Sequence, residues 1–310
     1  MSYLFNDCSS LTSVDLSIFD TSQVADFSFV FSTCLSLTSL NVSHFNTGQV
    51  TNMQFLFNGC KSLTSLDVSH FNTEKVTEMI FMFNDCNLVP ILDVANFDTS
   101  KVTSMKNVFN GCSNLGSFDV THFDTSQVTD MTNLFSGCSK LESIDISSWD
   151  IAKVKTMEGM FYNCINLKNL NLGNKVTTSV ENMKALFQSC QKLDSIDLSG
   201  WDTSNVNNMD VMFFDCPGFK YLNLSNFITN NVGSARQIFC LSTSLRYLNL
   251  YLFEMGSPVN IEEIFENLKE DVIICIKNEA TKHYLLDPEP GRWLYSFCSD
   301  NCILKYKKIW

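Results

Sequence analysis

The sequence predicts an α/β fold: a leucine-rich-repeat-like right-handed solenoid of about eleven 26-residue strand-turn-helix units, with the strands on the concave face. Three columns and one internal pattern carry this. Cys8, Cys34, Cys60, Cys86, Cys112, Cys138, Cys164, Cys190 and Cys216 recur every 26 residues, and a Phe precedes each by three, from Phe5 to Phe213. Val24 through Val232 form a third column at the same spacing. Within each unit two hydrophobic periods alternate, so a unit holds two kinds of segment and hides its apolar faces only by stacking on its neighbours.

The elements follow in order along the unit Phe57 to Met79. Leu63, Leu66 and Val68 end in a strict alternation around Asp67, which reads as a short strand with one buried face. Phe71-Asn72-Thr73 supplies a turn, whose Asn and Thr side chains suit bonding to nearby backbone amides and starting a helix. Val50, Met53, Leu56, Phe57 and Cys60 then follow at steps of three, three, one and three, a helical stripe. Phe239 keeps the frame although Ser242 holds its Cys slot, and Ile261, Ile264, Phe265, Ile274 and Ile276 continue it through an eleventh unit. The domain reading is a repeat array over 1–276 and a C-terminal cap or tail over 277–310, which holds Pro288, Pro290, Trp293, Cys298 and Cys302. Met1 falls on the column of Met53 through Met209, so the frame opens inside a repeat and the expectation is an upstream truncation.

Composition narrows the function. A net charge of −12 disfavours nucleic acid, which calls for a basic face. No apolar run reaches the ~18 residues that a membrane helix needs. Phosphate loops and dinucleotide fingerprints are absent, no cofactor is expected, and the chain reads as a non-enzyme.

The segment FNGCKSLTSLDVSHFNTEKVTEM, residues 57 to 79, resembles the repeat of BspA-like leucine-rich-repeat surface proteins, found in mycoplasmas, lactobacilli, spirochaetes and some protists. The resemblance covers about residues 1 to 255. It implies an extracellular or cell-surface protein, used in adhesion or host interaction through a protein or glycan partner, without enzyme activity. The sequence shows neither a secretion or lipoprotein signal nor a wall anchor. An intracellular scaffold is the alternative, because nine unpaired cysteines suit a reducing compartment; a cation-dependent enzyme is a more distant one.

Four candidate sites follow from the columns. The Cys ladder reads as buried free thiols, since nine parallel residues cannot all pair and zinc ligands must converge. Cys298 and Cys302, with Cys275 and Cys240, form the better disulfide set. A carboxylate ladder, with Asp67, Asp93, Asp119 and Asp145 consecutive, is a weak candidate for a cation or a basic partner; flanking Ser residues and backbone amides could equally satisfy it. The strand face changes from Thr64, Ser65 and Ser69 in the third repeat to Lys220, Tyr221 and Asn223 in the ninth and Arg246, Tyr247, Asn249 and Tyr251 in the tenth. Tyr and Arg concentrate binding energy, which makes these seven the preferred contact patch; degeneration of end repeats beneath a covering tail is the competing reading. His44, His70 and His122 share a turn column and His283 lies in the tail, with no nucleophile pattern joining them. Asn41 and Asn223 open glycosylation sequons inside expected strands, an improbable place for a glycan.

Overall fold

The computed structural model describes residues 1–254, 260–278, 285 and 294–297. Parallel pairing is its organising principle. β1 (Ser143–Asp145) pairs with β2 (Asn169–Asn171), and β3 (Tyr221–Asn223), β4 (Tyr247–Asn249), β5 (Ile273–Ile276) and β6 (Leu294–Phe297) form a second ladder. From β1 to β5 every register step equals the sequence period: Ser143 faces Asn169, and Tyr221 faces Tyr247, which faces Ile273. β6 adds a strand beyond the repeat frame, placing Leu294 opposite Ile273. A second line of parallel bridges runs from Asp26 through Asn52 to Glu78 and from Ser104 to Asn260. Tandem repeats stacked in parallel register fit a repeat solenoid. In the early repeats the strand segment is held more loosely, as by Thr38 N to Thr12 O at 3.3 Å. Pro90 has no amide to give in the fourth repeat, and Gly116 has no side chain to pack in the fifth.

The segment expected to be helical is not a helix in any repeat of the described residues. It is a run of tight turns whose amides alternate between two destinations. In the third repeat Leu56, Asn58 and Cys60 donate three residues back, to Met53, Phe55 and Phe57, at 3.2, 3.3 and 3.2 Å. Met53, Phe55, Phe57 and Gly59 instead donate to the next repeat, to Glu78, Ile80, Met82 and Asn84, at 2.8, 2.9, 2.9 and 2.7 Å. Left-handed backbone at Phe55 (φ 56) and Gly59 (φ 72) turns the amides outward and blocks i→i−4 bonding. The turns retain a spacing of three, so Met53, Leu56, Phe57 and Cys60 are all buried and the stripe resembles a helix. The Thr does not start a helix either. Thr73 Oγ1 donates to the Asp98 carbonyl at 2.9 Å and accepts from the Asp98 amide at 2.7 Å, clasping one repeat to the next.

Columns of identical residues fill the core. Phe rings stack from Phe5 to Phe265; Phe31 and Phe57 lie 5.9 Å apart at 1°, and Phe213 and Phe239 lie 6.1 Å apart at 8°. From Cys34 to Cys216 each thiol of the Cys column donates to the carbonyl of a Phe in the preceding repeat, as Cys138 Sγ does to Phe109 O at 3.2 Å. Ser242, in the Cys slot of the tenth repeat, makes the same bond to Phe213 O at 2.7 Å. Burial pushes the Cys112, Cys164 and Cys216 thiols up to about 12. Cys8 through Cys216 and Cys240 are free, whereas Cys275 is disulfide-bonded, with its partner outside the described residues. Cys298, Cys302, His283, Pro288, Pro290 and Trp293 also lie outside them.

Candidate functional site

The strand face is built by three neighbouring positions of each repeat, and the model shows how its carboxylates are held. Asp67 Oδ1 accepts the Ser69 amide at 3.0 Å and the Ser69 hydroxyl at 2.7 Å, and Asp119 does the same with Thr121 at 2.8 and 2.6 Å. These bonds hold the Asp67 and Asp119 carboxyls below the usual carboxylate range, and Ser147 does the same for Asp145, its amide lying 2.8 Å from Oδ1. Asp93 takes the Ala95 amide at 3.1 Å, and Asp145 Oδ2 also accepts from Asn171 at 2.9 Å. Among the described residues no three His, Cys, Asp or Glu converge as a metal cage.

The seven predicted contact residues divide into two groups. Lys220, Arg246 and Asn223 are exposed, Tyr221 is half-buried and Tyr251 is 36% exposed. Tyr247 and Asn249 are buried, at 2% and 6%. Arg246 pairs with Asp271 at 3.3 Å. Of the first group Lys220, Tyr221 and Asn223 border a cleft of about 840 Å³, whose floor is Leu170, Ile196 and Leu198 and whose walls include Asp194 and Asp197, whereas Arg246 and Tyr251 do not line it. Gly218 lines it because a Cβ there would meet Leu193 O at 2.3 Å. A smaller cleft of about 470 Å³, between Phe118 and Asn171, continues along the same face. Apolar floor, aromatic wall and a few charges make a surface suited to holding a ligand. The eighth-repeat contribution was not foreseen. Its signal was the column Glu142, Lys168, Asp194, Lys220, Arg246, where the early repeats carry Thr12, Thr38 and Thr64.

The histidines have a structural task. Nε2 of His44, His70 and His122 lies 2.8, 2.9 and 2.9 Å from the carbonyls of Leu16, Val42 and Val94, each at the end of the preceding strand segment. Trp149 Nε1 meets the equivalent carbonyl of Val120 at 2.8 Å. The turn histidines are exposed and cap strand ends through Nε2.

These features define the class: a tandem-repeat protein whose units pair in parallel and whose side chains stack in columns. The chain belongs to the family described as Mycoplasma protein of unknown function, DUF285, whose model matches residues 1–90, 89–193 and 166–273. No curated protein matches it. Among the described residues no helix is long and apolar enough to cross a membrane.

Proposed function

We propose that this chain is a non-catalytic cell-surface adhesion module of BspA-like, leucine-rich-repeat type, which recognises a protein or glycan partner through its strand face. In this reading the units wind right-handedly and the strands line the concave side. The observation that carries it is the cleft of about 840 Å³, because it brings Lys220, Tyr221 and Asn223 beside an apolar floor. Tyr247 and Asn249 stand beside Tyr221 and Asn223 on the next strand and, being buried, are left out of the contact set. The disulfide at Cys275 favours an oxidising exterior, and the buried, raised-pKa thiols of the Cys column are protected there. The same free thiols are what an intracellular scaffold would carry.

The test is binding of the full chain to immobilised glycans and to cultured host cells, with Tyr221→Ala and Lys220→Ala beside a Ser65→Ala control on the early strand face. Loss of a contact aromatic should weaken binding by ~10-fold or more, with Ser65→Ala unchanged. Equal binding by all four proteins, or none by the wild type, removes the proposal.

A further inference from the structure

The column that packs the corner after each strand holds Phe71, Phe97, Phe123 and Trp149, then Lys175, then Trp201, Phe227 and Phe253. Phe123 and Trp149 stack at 6.2 Å and 9°. In the seventh repeat a cation occupies the ring's place. Lys175 is 3% exposed, and its ammonium donates to the carbonyls of Ile146, Trp149 and Ser147 at 2.6, 2.7 and 3.2 Å.

Other departures gather at this corner. Ile151 replaces a Thr of the clasp column, so the sixth repeat offers the seventh no hydroxyl. The clasps on either side are intact: Thr125 Oγ1 to Asp150 O at 2.7 Å, and Thr177 Oγ1 to Asp202 O at 2.7 Å. Val176 stands where most repeats have Asn or Asp and is 56% exposed. Gly173 takes φ +63, and a Cβ there would meet Ser147 at 2.8 Å. Trp201 Nε1, buried one repeat on, has no partner among the described residues, whereas Trp149 Nε1 has one. β1 and β2 pair across the unclasped seam, and the strand ladder breaks off on the far side of the seventh repeat, before β3 of the ninth.

We propose that the corner of the seventh repeat is a built-in joint, at which the array opens locally while the repeats on either side stay folded. The stability of a stacked array is a sum of unit terms and nearest-neighbour terms, and the seam with the weakest neighbour terms opens first. Here one seam lacks a hydroxyl clasp, the ring stack is interrupted, an indole N–H is left over, and a cation is kept from water. The charged groups around Lys175 are Asp145 and Asp150 on the preceding repeat and, joined to its own repeat through Thr177, Asp202 on the following one. Burial outweighs the attraction of Asp145 and Asp150 and holds Lys175 down to about 8. A lysine released to water titrates near ~10.4, so between these values the open state binds more protons. The closed joint therefore tightens as pH rises through that window and loosens below it. The inference does not rest on any partner for the strand face.

Hydrogen–deuterium exchange of the full chain tests it, comparing peptides over 143–151 and 170–178 with the equivalent peptides of the third to fifth repeats in the same sample. At about pH 7 the corner amides should exchange ~10-fold faster or more than their equivalents. Lys175→Phe, which restores the ring column, should bring the ratio within about 3-fold, and Lys175→Met serves if the ring is not accommodated. At about pH 9.5 the wild-type ratio should narrow and that of either variant should not change. Equal protection along the wild-type array, or fast corner exchange that persists in both variants, would overturn the joint.

Discussion

At the scale of single residues, the left-handed columns pose an energetic question. Asp85, Gly111, Asn163 and Asp215 fill one such column with residues that tolerate it, but the other opens with Tyr3, Phe29, Phe55 and Phe81. A bulky residue there costs ~1–2 kcal/mol. The rings offset this by stacking at 4.6, 4.4 and 4.6 Å, closer than the core Phe column. Phe55→Gly should therefore be milder than Phe55→Ala, the reverse of the usual order, because Gly removes the strain as it removes the ring. Urea midpoints measure the difference, and Ala milder than Gly would refute the account. The thiols give a second prediction. Cys138→Ser should be tolerated, as Ser242 shows, and Cys138→Ala should cost only ~1 kcal/mol in urea denaturation, because Phe109 O loses the thiol but keeps the Cys112 amide. Carboxylates give a third. Asp67, Asp119 and Asp145 have lowered pKa values in the folded chain, so their stabilisation is present above ~4 and is lost as pH falls through the folded values. Asp67→Asn keeps the acceptor for Ser69, so its melting temperature should fall less steeply with acid than that of the wild type.

Elements show how far the sequence could be read and where reading stopped. The frame and the buried columns follow from spacing alone, because stacked identical units must bury identical residues, whereas a strand expected in every unit forms, among the described residues, at β1 to β5 only. The helix did not follow. Steps of three and four mark any chain that bonds three residues back, and only the row of carbonyls in the next repeat decides where the alternate amides go. The Thr column illustrates the same limit: Thr73 can be recognised as a bonding residue, but its partner at Asp98 belongs to another unit. Thr73→Val should leave both backbone groups of Asp98 unpaired and cost ~2 kcal/mol or more by urea denaturation. A cost near zero would mean that water replaces the clasp. Lys175 was legible as a break in the Phe and Trp column, but its three carbonyl partners required the corner itself.

Across the whole molecule, the strand face grades from small hydroxyls to charges and aromatics, and the cleft lies where that grade turns. The gradient was visible in the sequence; the burial of Tyr247 was not, since the alternation of a strand does not reveal what covers its outer side. Calcium should leave the thermal midpoint unchanged, because each ladder carboxylate is already engaged by its own turn; a rise would restore the cation reading. One further consequence lies in the bonds that join each residue to another 25 or 26 positions on. Excising 83–108 as a block would leave every ring, thiol and hydroxyl column continuous. Losing one residue would throw each later unit out of step with the one before it. Recombination between repeats can therefore lengthen or shorten this chain by whole units, altering its reach while leaving the architecture intact.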